Sequence, residues 1–141
     1  APVDEMRAMF AAYRGETAPE VIRNYLRAWL PISQRYYEYL KLVQIDLGEF
    51  GGVNIQRIFP ELATPLHDYV AYIQTLPGLK PMPTIVLMRL LDTIAAGYVV
   101  TARYGPDDAR AAYTPEAWID MMVDALLDGI TERPAKQTTD S

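Results

Sequence analysis

Residues 84 to 103, TIVLMRLLDTIAAGYVVTAR, limit the fold more than any other stretch of this chain. The run is long enough for a helix of several turns and is apolar on nearly every side. Arg89 and Asp92, one turn apart, are its only charges before Arg103. A surface helix keeps one polar face, whereas a helix apolar all round is buried in its own domain or shared with a second subunit. A charge in such a helix is costly unless it is paired or solvated. Three placements of Asp92 meet that demand: pairing with Arg89, pairing of either residue across a subunit interface, or a wet pocket.

The rest of the chain repeats the helical period. Met6, Met9, Phe10 and Tyr13 share a face, and Gly15 ends that segment. Thr17-Ala18-Pro19-Glu20 is a helix start, with a capping hydroxyl, Pro and an acid in the first turn. Ile22, Tyr25, Leu26, Trp29 and Leu30 follow on one side, and Pro31 is expected to break or kink the helix. Ser33 is placed to cap a new one. In that next helix Tyr36, Leu40, Val43 and Leu47 form a stripe, closed by Gly48 and Gly51-Gly52. Asp46 lies about 60 degrees off the stripe and reads as exposed. Pro60 and Pro65 mark helix starts or a kink before the face Leu66, Tyr69, Val70, Ile73, and Pro77-Gly78 closes that element. Gly105 to Asp108 open a polar excursion. Thr114-Pro115-Glu116 caps a last helix carrying Trp118, Ile119, Met122, Val123, Leu126, Leu127 and Ile130. No segment alternates with period two. The expected fold is all-α, an irregular bundle of about six helices. Residues 1–133 form one domain, and 134–141 are a disordered tail.

Composition excludes several functions. The chain has no cysteine and one histidine, His67, so a His/Cys zinc site is effectively ruled out and no cofactor is expected. Net charge is −5 without a basic run, which disfavours nucleic-acid binding by this chain alone. No stretch reads as a membrane span or a signal peptide, and a cytoplasmic location is expected. The sequence starts directly in a helical pattern, as though trimmed. Catalytic material is thin. His67 has Asp68 and Glu61 as possible partners but reads first as a surface residue. The acidic pairs Asp4-Glu5 and Asp107-Asp108 read as solvated charge, EFGGVN is not a phosphate loop, and no enzyme is expected. Ten tyrosines are the more informative resource, suiting core edges and the walls of a ligand cavity alike. The six methionines likewise fill gaps or line an adaptable cavity.

The order of features resembles the C-terminal ligand-binding and dimerisation domain of TetR-family transcriptional regulators over roughly residues 5 to 131. The resemblance is carried by YLKLVQIDLGEFGGVNIQRIFPELATPLHDYVAYIQ, the long apolar helix with AAGY, and TPEAWIDMMVDALLDGI. It implies that segments 84–103 and 115–130 form a four-helix bundle with a second copy. Ile85, Arg89, Ala96, Val99, Trp118, Met122, Val123 and Leu126 would then lie at the homodimer interface. It also implies an effector cavity among the central helices, walled by Tyr36, Leu40, Val43, Tyr69, Ile73, Met88, Leu91, Asp92 and Tyr98, for a largely apolar or aromatic small molecule. The family's N-terminal helix-turn-helix, through which operator DNA would be bound, is not in this sequence.

Overall fold

A computed structural model describes residues 2–104 and 114–132, with some side chains inside the helices outside the described set. The fold is all-α, and six helices run through the described residues. They are α1 (Pro2–Ala12), α2 (Ala18–Arg35), α3 (Tyr37–Glu49), α4 (Ile55–Thr75), α5 (Thr84–Tyr104) and α6 (Pro115–Ile130). The polar excursion at 105–113 and the tail at 134–141 lie outside the described residues.

Both Thr caps act as the sequence predicts. Thr17 accepts from the Glu20 N–H at 3.4 Å, and Thr114 accepts from the Ala117 N–H at 3.2 Å. Each is followed by Pro at the first turn, where a missing N–H costs nothing.

Pro31 does not end α2, which continues to Arg35 and breaks only at Tyr36. The imide ring removes the hydrogen bond to the Arg27 carbonyl, but Pro31 and Arg27 both lie on the exposed face, where water replaces it. Ser33 is therefore a buried residue inside α2 and not the cap of a new helix. In the same way α4 runs unbroken through Pro60 and Pro65.

The core gathers on α2. Ile22, Leu26, Val70, Ile73, Leu87, Leu91, Ile119 and Val123 are all fully or almost fully buried. They belong to α2, α4, α5 and α6, so α2 is the element on which the other three close. Burying an aliphatic side chain of this size stabilises by ~1.5–3 kcal/mol, which makes this layer the chief source of stability. Arg23 and Arg27 add rim ion pairs from α2 to α6: Arg23 to Asp124 at 2.5 Å and Arg27 to Asp120 at 2.7 Å. These pairs are exposed and contribute little each.

One pole of the bundle is tied by main-chain bonds. Ala18 N–H donates to the Pro77 carbonyl at 3.0 Å, Lys80 N–H to Ile130 at 2.8 Å, and Glu132 N–H to Gly78 at 3.2 Å. Leu79 and Thr131 form an isolated antiparallel bridge there. Gly78 makes the junction possible. Its φ is +111°, and an added Cβ would sit 2.9 Å from Pro19 Cδ.

Candidate functional site

Two rows of α5 face away from its core side: Ile85, Arg89 and Thr93, all exposed, and, one residue on, Val86, Leu90 and Ile94, of which Val86 is exposed while Leu90 and Ile94 are partly buried against the core. Against them α6 sets Met122, Ala125 and Leu126. Together they bound an open groove of about 620 Å³. Rows at i, i+4, i+8 beside an i, i+3, i+4 set leave a hollow of the kind that accepts side-chain ridges of another helix. Ile85 and Val86 are 55% and 43% exposed, well above what a buried helix face would show.

The groove brings together four of the predicted interface residues: Ile85, Arg89, Met122 and Leu126. Trp118 lies partly buried against the core. Val123 requires correction, because it is fully buried in its own chain and has no side-chain area to offer a partner. Neighbours on a helix are separated by 100 degrees, so Met122 faces the groove while Val123 faces α2. Ala96 and Val99 have side chains outside the described set. Sequence reasoning missed Val86, Leu90, Ile94 and Ala125. Their signal was present in the all-round apolar pattern of α5 and in the i+3 spacing from Met122.

The predicted cavity residues do not meet around a described void. Tyr69, Ile73, Met88 and Leu91 belong to the common core, closed by the packing of α4 and α5 on α2. Val43 is half-buried, and the side chains of Leu40 and Tyr98 are outside the described set. Tyr36 is tied to α1, where its hydroxyl donates to Glu5 Oε1 at 2.9 Å. That bond, followed by burial, raises its pKa. Glu5 also pairs with Arg35 at 2.9 Å.

Asp92 forms no ion pair with Arg89 among the described residues. Arg89 turns to the groove, while the electrostatic neighbours of Asp92 are Arg89 and the Tyr25 phenol. Desolvation lifts the Asp92 carboxyl above its ordinary range, and the Arg89 charge opposes the shift. Burial, then the Asp92 charge, raises the Tyr25 phenol further. Trp29, one turn beyond Tyr25 on α2, has a buried indole Nε1 with no hydrogen-bond partner among the described residues.

The tyrosines earn their polar tips at the joint between α1, α2 and α4. Phe10 and Tyr69 stack with centroids 4.7 Å apart, and Tyr25 and Tyr72 complete the cluster. The Tyr69 hydroxyl donates to the Tyr13 carbonyl at 2.7 Å. The Tyr72 hydroxyl lies 3.4 Å from both the N–H and the carbonyl oxygen of Gly15. Buried rings thus use their hydroxyls to hold the turn between α1 and α2.

Asp46 is also reassigned. It is 7% exposed, and its Oδ1 accepts from Asn54 Nδ2 at 2.6 Å. Its carbonyl accepts from the Phe50 and Gly52 N–H groups at 3.1 and 2.9 Å. Gly51 and Gly52, at φ +63° and +77°, let the chain fold back to reach it. Asp46 therefore secures the α3–α4 turn. The clue in the sequence was Asn54, on the far side of the Gly-Gly pair.

His67 lies 3.9 Å from Asp68, and both side chains are mostly exposed. Among the described residues, no group of acids and histidine is placed to hold a metal, and no helix is long and apolar enough to cross a membrane. Comparison with models of protein families, with characterised proteins and with solved structures returned no match.

Proposed function

We propose that this chain is the effector-sensing and dimerisation half of a TetR-like transcriptional regulator, working in the cytoplasm as a homodimer. The observation that supports the reading best is the α5/α6 groove, an open and mostly apolar hollow on the two segments for which the resemblance implies a shared four-helix bundle. Arg89 and Thr93 give the groove a polar seam, and in a two-fold pairing the same patch meets itself. The sensing half of the proposal rests on the resemblance and on the supply of aromatic side chains. A largely apolar or aromatic effector would favour one arrangement of the central helices, acting through its differential affinity for the two states. Operator DNA would be bound by a helix-turn-helix that these 141 residues do not contain.

Light scattering at micromolar concentration tests the reading. The expected mass is about twice 15.9 kDa. Ile85→Glu, at an exposed position, is expected to give single chains with unchanged helical circular dichroism. A monomeric unsubstituted chain would overturn the dimer. One observation favours a second reading, an all-α interaction domain without a small-molecule ligand. Leu42, Leu47, Phe50 and Val53 are each more than half exposed along α3 and the turn after it. A thermal-shift series separates the two readings, because saturable binding of an apolar ligand to the native state raises Tm.

A further inference from the structure

We propose that a notch between α1 and α4 binds a small aromatic carboxylate, with Arg7 and Arg14 holding its charge. The site is separate from the groove and does not depend on the regulator reading. Its walls are Arg7, Phe10, Ala11 and Arg14 on one side and Pro65, Asp68 and Tyr69 on the other, around about 250 Å³. The first set falls at i, i+3, i+4 and i+7, one face of α1 continued into the turn. The second falls at i, i+3 and i+4 on α4.

Three features select the ligand. The first is charge. Neither Arg7 nor Arg14 forms an ion pair among the described residues, although the chain carries a net charge of −5. The one acid at the notch, Asp68, has a side chain 76% exposed. Two guanidinium groups against one solvated carboxylate make a local positive field in an acidic molecule, which draws in anions. Planar guanidinium groups match a carboxylate through paired N–H donors. The second feature is the floor. Ala11 is exposed and Pro65 half-buried over the stacked Phe10–Tyr69 pair, whose rings are themselves almost closed off, so the apolar surface open to a ligand ring is that of Ala11 and Pro65, which offers little to a bare inorganic anion. The third is size. Cavities for drug-sized molecules run to ~300–1,000 Å³, so this notch suits a single ring.

Occupation would be felt at the α1–α2 turn. The Arg14 guanidinium lies 4.2 Å above the Tyr72 ring, and the Tyr72 hydroxyl contacts Gly15. A carboxylate bound by Arg14 therefore loads the latch that holds that turn.

Calorimetric titration of the full chain with benzoate, and separately with inorganic phosphate, tests the proposal. Backbone amide NMR of Tyr13 and Gly15 serves as the local readout. Saturable benzoate binding that shifts these amides is expected, with phosphate about tenfold weaker or worse. Arg7→Gln and Arg14→Gln should each weaken benzoate about tenfold, the scale of a lost charge-assisted hydrogen bond. Arg14→Gln also removes the stacking on Tyr72. Arg7→Gln disturbs no described contact, so it isolates ligand binding from the latch. Failure of benzoate to saturate would overturn the proposal, as would undiminished binding in the double variant. Phosphate binding as tightly as benzoate would overturn the aromatic half of it.

Discussion

Two tyrosine-rich regions of this chain come to opposite ends. Around α1, α2 and α4, Tyr25 and Tyr69 are buried among Phe10 and Tyr72, and the Tyr69 and Tyr72 hydroxyls reach main-chain atoms of the α1–α2 turn. Around α3, Tyr36, Tyr37 and Tyr39 are only half-buried, and Leu42 and Leu47 on the same helix are 63% and 57% exposed. Both regions have helical spacing and ample apolar area. They differ in what lies opposite. The first meets three helices, whereas α3 packs lightly, on α2 and α4. Apolar area stabilises a helix only when a second surface takes it out of water.

The sharpest way to break this contrast is a pair of leucine truncations followed by denaturant melts. Leu26→Ala, at a fully buried position of α2, is expected to cost ~2–5 kcal/mol. Leu42→Ala on α3 is expected to stay within ~0.5 kcal/mol. Equal losses would mean that α3 is covered in solution, as it would be by a partner. A smaller effect is expected from Asp46→Ala, which removes the carboxylate that accepts from the Asn54 side-chain amide across the α3–α4 turn. A loss of ~1–3 kcal/mol is predicted, with faster hydrogen exchange at Gly52 and Asn54. No change would show that α3 is positioned by its apolar contacts alone. The smallest change is Tyr69→Phe, which keeps the ring and deletes the hydroxyl bond to Tyr13. A loss of ~0.5–1.5 kcal/mol by thermal melting would sharpen the view that these rings pack first and tether second.

Helix existence was legible in the sequence because periodicity and capping are local. Thr17 and Thr114 announced two starts, and Gly51-Gly52 and Gly78 announced two reversals. The α2–α3 joint was less legible. Pro31 is a strong local signal, but its cost depends on whether the carbonyl it strands faces water, and that is a tertiary fact. The outer face of α5 followed from its all-round apolar pattern. Which neighbour on α6 turned inward did not, since Met122 and Val123 are both apolar and only the packing of α6 on α2 decides between them. Asp46 failed for a related reason. Its angle on a helical wheel places it at the edge of a stripe, and the turn that buries it lies outside the helix. The Arg7/Arg14 notch has no signature along the chain, because α4 supplies half of it from fifty residues away.

The main-chain junction at Pro77–Lys80 has a mechanical consequence. It clasps the start of α2, the approach to α5 and the end of α6 at one handle, so a movement of that handle is passed to all three rods. α2 spans about 27 Å from the clasp at 1.5 Å per residue over its 18 residues. A tilt of ~5° at the handle therefore carries the far tip through about 2 Å. Tyr36 and α3 ride on that tip, where a strain too small to disturb the handle becomes a displacement the size of a side-chain contact.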